Sequence, residues 1–215
     1  MIIMTASTLL IEKESVDISL KDVLIFAGYR TCDKDSPVSE EYKRRAKDAL
    51  SKIKQVFTPK ACFIRSDIEK RGEDFVEILG MRLESKPLSE LLSPCKEVFL
   101  FAVTAGPFVD REISKMRFSP VDEILYDAAG SAAAEALCDE AERQLSSLAG
   151  KKLCQRFSPG YSGLSIDCQA DFLRVLEAGK RAGIYLTKGN MMAPLKSVTA
   201  ILGIPEKEGE ERTLY

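Results

Sequence analysis

The longest periodic stretch of the sequence is an alanine-dense run from Val121 to Leu148, which predicts a single long helix. Apolar residues recur about every four positions and form one stripe, which consists of Leu125, Ala129, Ala133, Leu137, Ala141 and Leu145. Because so many of these side chains are small, another element can approach the helix backbone closely. Glu135 falls away from the stripe, beside Ser131, Cys138 and Glu142, so spacing alone predicts a solvated acidic face.

The strand pattern points to an antiparallel sheet. The apolar run from Lys96 to Gly106 predicts a central strand, because successive residues along it are apolar. Residues 61–79 predict a hairpin with its turn near Arg71 and Gly72. KLCQRF, after Gly150, predicts a strand, and IYLT and SVTAILGI predict two closing strands joined through GNMMAPLK. Helices mixed with hairpins favour an α+β fold with a mainly antiparallel sheet.

Further helices are predicted on both sides of the central strand. Residues 19–29 form a short one, residues 89–92 a brief one, and the segment after Gly106 another. The segment from Ser36 to Phe57 predicts an amphipathic helix with Ser36 as N-cap and Pro37 in its first turn. Its inward residues are Ala46, Leu50, Ile53 and Val56. Residues 167–182 predict one helix that ends at Gly183, with Phe172, Val175 and Leu176 inward. The charged tail after Ile204 is expected to be loose, and residues 1–215 are expected to form a single domain.

Composition excludes several classes of function. The 215 residues include no histidine, which rules out Ser-His-Asp and Cys-His nucleophile systems and histidine-ligated metals. A net charge of −2 gives no basic surface for nucleic acid. No apolar run is long enough to span a bilayer, and the first residues lack a basic signal region, so a cytoplasmic protein without membrane contact is expected. The six cysteines are expected to be reduced and mostly buried.

The segment QRFSPGYSG, at residues 155–163, is the strongest candidate for a ligand site. Pro159 and Gly160 supply a tight turn, and the glycine allows a ligand to approach the backbone. Arg156 offers a planar fork for a carboxylate, and Tyr161 adds an aromatic ring with a polar tip. A zwitterionic ligand that carries an aromatic base suits this combination, although a simple chain reversal also accounts for the turn.

Three ordered blocks resemble the activation domain of cobalamin-dependent methionine synthase. The first is Arg-x-x-x-Gly-Tyr, here Arg156, Gly160 and Tyr161. AAAEAL resembles the family's Ala-Glu-Ala helix and places Glu135 on its glutamate. LTKGNMMAPLKSV resembles the family's Leu-Thr, Met-x-Pro and Ser-Val segment. The resemblance covers residues 127–203, whereas residues 1–100 show no convincing match.

The resemblance implies a C-shaped α+β domain with a bent, mainly antiparallel sheet flanked by helices. It implies that the domain binds S-adenosylmethionine and docks over a cobalamin, whose inactive Co(II) state is restored by one electron and the methyl group. Arg156 would then pair with the methionine carboxylate and Glu135 would hold the cationic end. The backbone of Ser158, Pro159 and Gly160 would contact the nucleoside, and Tyr161 would face the cobalamin. No catalytic residue and no metal ligand is implied, since positioning is sufficient for this chemistry.

Several departures from the family pattern bear on the function. Ser131 stands where the fused enzyme has a carboxylate, and the chain ends where the family continues into an aromatic strand. No cobalamin-binding or methyltransferase segment is present, so a free-standing reactivation subunit is expected. Its partners would be a methionine synthase that lacks its own activation domain and an electron donor such as flavodoxin or ferredoxin. A corrinoid-protein chaperone or sensor that caps cobalamin without methyl transfer, and a scaffold protein, are the alternatives.

Overall fold

Helices and strands follow one another along the chain in the manner of a mixed α+β protein. A computed structural model describes residues 5–29 and 38–214. The helices are α1 (Leu20–Phe26), α2 (Glu40–Val56), α3 (Lys86–Leu91), α4 (Pro107–Ser114), α5 (Pro120–Ala149), α6 (Gln169–Val175) and α7 (Ala178–Arg181). The strands are β1 (Ser7–Leu9), β2 (Lys60–Asp67), β3 (Lys70–Arg71), β4 (Phe75–Ile78), β5 (Met81–Glu84), β6 (Cys95–Thr104), β7 (Tyr185–Leu186), β8 (Met192–Ala193) and β9 (Ser197–Pro205).

The main sheet has the strand order β1-β2-β6-β9, and every pairing in it is antiparallel. The predicted central strand is β6, which lies between β2 and β9. Because side chains alternate between the two faces of a strand, Phe99 and Phe101 enter one core while Val98 and Leu100 enter another. Its continuous apolar run therefore reflects burial on both faces.

The first core lies between the sheet and helices α1, α2 and α5. The predicted stripe of α5 is confirmed, since all six of its residues are buried. Cys138 is also buried, which corrects its expected place on a solvated face. Helix α2 begins at Glu40, where the Ser39 hydroxyl accepts a hydrogen bond from the Tyr42 amide. The helix thus begins later than predicted, and Ser36 and Pro37 lie outside the described residues.

The second core covers the other face of the sheet with α3, α6 and a smaller sheet of order β3-β4-β5. The predicted turn near Gly72 is present between β3 and β4. However, β2 does not continue into this hairpin, because it pairs with β1 and β6 instead. The brief helix predicted at residues 89–92 begins earlier, at Lys86, with Ser85 as its N-cap.

The chain after α5 departs most from the predictions. KLCQRF is not a regular strand, and Phe157 alone forms a bridge to Ile201. The helix predicted over 167–182 is divided into α6 and α7 at Glu177, whose φ is +47°. The two closing strands do not pair with each other, because β7 pairs with β8 and β9 pairs with β6.

The tail is held in place although its composition predicts a loose segment. The Arg212 carbonyl accepts a hydrogen bond from the Gln155 amide at 2.9 Å, and the Leu214 amide donates to the Gln155 side chain at 2.7 Å. Leu214 also packs against the second core. None of the helices in the described ranges is long and apolar enough to cross a membrane. The fold is therefore a single α+β domain with antiparallel sheets flanked by helices, as predicted.

Candidate functional site

A cavity of about 420 Å³ opens beside β9, between the segment after α5 and the start of α6. Its volume lies within the range typical of small-molecule sites. Every predicted ligand-binding residue except Gly160 lines it, namely Glu135, Arg156, Ser158, Pro159 and Tyr161. The fold thus brings together residues that lie on α5 and on the loop that follows it.

Gly160 shapes the loop rather than lining the cavity. Its φ is +89°, a left-handed value that favours glycine. The Gly160 amide donates to the Leu164 carbonyl at 2.9 Å, and the Leu164 amide donates to the Tyr161 carbonyl at the same distance. The Ser85 hydroxyl also donates to the Ser162 carbonyl at 3.0 Å, which ties the loop to the N-terminus of α3.

Arg156 lies in a cluster of three carboxylates on one face of α5. Its guanidinium makes a short ion pair with Glu135. It also approaches Asp139 at 3.4 Å and Glu142 at 3.3 Å. The Arg156 side chain is only 18% exposed, so this guanidinium is largely withdrawn from water. Three carboxylates around one cation give the charged end of the cavity a net negative charge.

Glu142 is the least exposed carboxylate of this cluster. Burial raises the pKa of Glu142 above its ordinary value, and the negative charges of Asp139 and Glu135 raise it further. The positive charge of Arg156 opposes these effects. Spacing had placed Glu142 beside Glu135, but it gave no sign that both acids would face Arg156, which lies 14 residues after Glu142 and 21 after Glu135.

Tyr161 lies at the mouth of the cavity with 70% of its surface exposed. Ile166, which also lines the cavity, is 45% exposed. Both side chains therefore present apolar surface to whatever approaches the opening. The structure brings Tyr161 to the rim, whereas Arg156 lies deeper.

The other end of the cavity is polar but uncharged. Gln169, at the start of α6, is only 2% exposed and donates from Nε2 to the Thr199 hydroxyl at 2.7 Å. The same nitrogen lies 3.0 Å from the sulfur of Met192. Gln169 was not predicted as a site residue. No signal in the sequence identified it, because Asp167 and Asp171 are polar residues of the same predicted helix and only the packing of α6 against β9 brings Gln169 to the cavity.

The tail completes one wall of the cavity. Leu214 and Gln155 both line it, and they are joined by the hydrogen bond described above. Ser131, by contrast, lies outside the lining. Its hydroxyl accepts from the Lys196 amine at 2.9 Å, and this amine also pairs with Asp127 at 2.8 Å. Ser131 therefore joins α5 to the segment before β9.

The cavity offers a ligand three different chemical surroundings. Across residues 5–29 and 38–214 no group of acids and cysteines is placed to hold a metal ion. The cavity has one ionic end, one neutral polar end and an apolar rim. Such a site orients a ligand with a charged part and an uncharged polar part.

The fold of this chain is similar to that of the MetH reactivation domain. The crystal structure of that domain bound to AdoHcy matches with a TM-score of 0.67 and 17% sequence identity. The match covers 96% of this chain and 80% of the MetH chain, so it extends into the first hundred residues, where the sequence showed no resemblance. At this identity the likeness establishes the fold.

No protein-family model matches the chain, and no curated protein matches it either.

Proposed function

We propose that this protein binds S-adenosylmethionine in the cavity beside β9 and acts as a stand-alone reactivation subunit for a cobalamin-dependent methionine synthase. The observation that carries the proposal is the position of the cavity. It is built by the Arg156–Tyr161 loop and Glu135, in a fold whose MetH relative was crystallised with AdoHcy. AdoHcy is S-adenosylhomocysteine, the product that remains when S-adenosylmethionine transfers its methyl group.

The charges of the cavity favour this ligand. S-adenosylmethionine carries a sulfonium and an ammonium group, and the acidic cluster around Arg156 attracts cations. Its carboxylate needs a planar donor, which the guanidinium of Arg156 provides. Its nucleoside is uncharged and polar, as is the end of the cavity at Gln169.

Ligand binding would exchange one partner of Arg156. In the structure Glu135 forms an ion pair with the Arg156 guanidinium. The Glu135 side chain is 48% exposed. A ligand carboxylate would take the place of Glu135 and free that residue to meet the cationic groups of the same ligand. Asp139 and Glu142 would continue to hold the guanidinium in position. The backbone of Ser158 and Pro159 would border the nucleoside, and the turn at Gly160 would hold that backbone in place.

Tyr161 would face the partner protein. Its exposed ring lies at the mouth of the cavity, where an aromatic surface can contact a flat macrocycle. The cobalamin held by the partner would supply, when reduced, the nucleophile that accepts the methyl group. The protein then has to align the ligand and exclude water, so the chain needs no general base.

The partners follow from this function. The chain would act in trans on a methionine synthase without its own activation domain, in the cytoplasm. A flavodoxin or ferredoxin would deliver the electron. Residues 1–215 would together form one reactivation-type domain, which is consistent with the extent of the structural likeness.

Calorimetry with S-adenosylmethionine tests the binding step. We expect saturable binding that Arg156→Ala weakens by about tenfold or more, because a charge-assisted contact is lost. Arg174→Ala is the matched control, since Arg174 forms an exposed pair with Asp171 away from the cavity. Absence of heat with the unaltered protein, or equal affinity of both variants, would contradict the proposal.

A reactivation assay tests the reaction. The protein is mixed with a Co(II) methionine synthase lacking its activation domain, a reduced flavodoxin and S-adenosylmethionine labelled in its methyl group. We expect the label to be transferred to the partner only when the protein is present. A change in the corrin spectrum without transfer of label would instead identify a corrinoid chaperone or sensor.

A further inference from the structure

The neutral end of the cavity contains a side-chain pair whose geometry is fixed from three directions. Gln169 begins α6, Thr199 lies in β9, and Met192 lies in β8. The Nε2 atom of Gln169 makes both of the contacts that join these elements. A rotated amide could still bond to Thr199, whose hydroxyl can also donate, but it would place its oxygen against the Met192 sulfur, which has no proton to donate. The Gln169 oxygen is therefore held in one orientation.

The oxygen of this amide is available to a ligand. In the part of the chain that the structure describes, it accepts no hydrogen bond, and it is not among the fully buried side-chain atoms without a partner. It therefore reaches the open space of the cavity that Gln169 lines. A buried acceptor of this kind costs free energy unless a donor meets it.

Thr199 supplies the complementary group. Its hydroxyl oxygen accepts from Gln169, so its own proton is free to be donated. Thr199 lies on the same face of β9 as Ile201, which packs in the second core. Val198 lies on the other face, toward α5 and the charged cluster. The pair and the Arg156 cluster are thus on opposite sides of the sheet edge.

One acceptor beside one donor matches the edge of a 6-aminopurine. The exocyclic amine of adenine donates a hydrogen bond and the adjacent ring nitrogen accepts one. Hypoxanthine carries a carbonyl oxygen in place of that amine, which would face the Gln169 oxygen with no proton between them. Guanine also carries a carbonyl oxygen at this position, so it would leave the Gln169 oxygen without a donor in the same way.

We propose that Gln169 and Thr199 determine the base specificity of the site, with the Gln169 oxygen accepting from the adenine amine and the Thr199 hydroxyl donating to a ring nitrogen. This inference rests on the proposed function, since it assigns the nucleoside of the ligand to this end of the cavity. Gln169 and Thr199 then select the base, while Arg156 and Glu135 bind the charged end.

The test compares 5′-methylthioadenosine with 5′-methylthioinosine, which differ only in the base and lack the amino-acid end. Binding of each to the full chain is measured by calorimetry. We expect about a tenfold preference for the adenine compound, because a paired edge is exchanged for an unpaired one. Gln169→Leu and Thr199→Val should each reduce this preference, and Gln169→Leu should bring it close to one.

Matched controls separate recognition from loss of structure. Gln55→Leu makes the same substitution at an exposed site on α2, away from the cavity, and should keep the preference. Thr199→Val is nearly isosteric, so it keeps the inference testable if Gln169→Leu does not fold. Thermal unfolding of each variant is followed by circular dichroism.

The outcomes distinguish this inference from the proposed function. Equal binding of the two nucleosides, binding of neither, or a preference that survives both substitutions would overturn the assignment of Gln169 and Thr199. If S-adenosylmethionine still binds in that case, the proposed function stands without it. A clear adenine preference together with no binding of S-adenosylmethionine would support the assignment of Gln169 and Thr199 to the base and would contradict the proposed function.

Discussion

Removing the charge of Arg156 should destabilise the protein in a way that depends on pH. In Arg156→Met the aliphatic stem is kept while three carboxylates lose their common cation. Asp139 and Glu135 are well exposed, so each of their pairs contributes roughly 0.2–1 kcal/mol. Glu142 is only 30% exposed, and leaving it unpaired costs more, though less than the roughly 3–5 kcal/mol of a fully buried pair. We expect a total loss of about 2–3 kcal/mol at neutral pH.

The sign of the pH effect follows from Glu142. Burial, and then the neighbouring acids, raise the pKa of its carboxyl above the ordinary value of 4.5, and Arg156 opposes this. A carboxyl whose pKa is raised in the folded state favours folding while it is protonated, and this contribution is lost as the pH rises through the folded pKa. In Arg156→Met that pKa rises further. The variant should therefore be least stable relative to the parent protein near pH 8, and the difference should shrink toward pH 4.5.

Urea unfolding at a series of pH values measures this difference. The loss at neutral pH corresponds to a fall in Tm of roughly 4–12 °C for a chain of this size. The double variant Arg156→Met/Glu142→Gln should recover a large part of the loss, because the unpaired charge is gone. Arg174→Met, which breaks an exposed pair with Asp171, should change stability by less than about 0.5 kcal/mol. A loss that is the same at pH 5 and pH 8, with no recovery in the double variant, would refute the reasoning.

Three further substitutions are expected to reduce stability, each measurable by denaturant unfolding. Gly160→Ala forces a side chain into a φ of +89° and should cost about 1–2 kcal/mol and weaken ligand binding; no change in either would show that the loop adapts. Gly203→Ala would place a methyl group 2.7 Å from the sulfur of a buried cysteine in the second core, and overpacking of this kind costs about 1–3 kcal/mol. Asp122→Asn should cost about 1 kcal/mol at pH 7, because hydrogen bonds from Ser119 and then Arg45 lower the pKa of Asp122. That contribution is present above the ordinary pKa of 3.8 and is lost as the pH falls, so the two proteins should converge in acid; a constant difference would argue against the assignment.

Periodicity predicted the parts of the fold in which one period continues for several turns or residues. The stripe of α5 and the doubly buried β6 are the clearest cases, because burial on a defined face leaves a repeating pattern. The division between α6 and α7 left no such pattern. Glu177 adopts a left-handed backbone, and a residue other than glycine in that conformation has no sequence signature.

The sequence predicted the part of the candidate site that lies within one short segment, and it did not predict the residues that other elements bring to the cavity. Gly160 and Pro159 identify a turn locally, and the residues beside them line the cavity. Gln169 reaches the cavity only because α6 packs beneath β9, and the tail reaches it through backbone hydrogen bonds. A backbone hydrogen bond, such as the one between Gln155 and Arg212, does not depend on the type of side chain. The charged composition of the tail therefore predicted a loose segment although the tail is held in place. Tertiary contacts of this kind cannot be deduced from spacing along one segment.

The position of the cavity follows from the incomplete cover of the outer edge of β9. Ile201 exchanges both backbone hydrogen bonds with Phe157, at 2.8 and 3.0 Å, and the Gly203 carbonyl accepts from the Cys154 amide. Outward-pointing peptide groups recur at every second residue of a strand, so those of Thr199 point to the same side. Within the described residues they have no backbone partner there. The covering segment turns away at Pro159, which has no amide proton to donate. The reversal that the sequence indicated thus leaves unpaired backbone groups beside Thr199, and these bound the space between the charged cluster and Gln169.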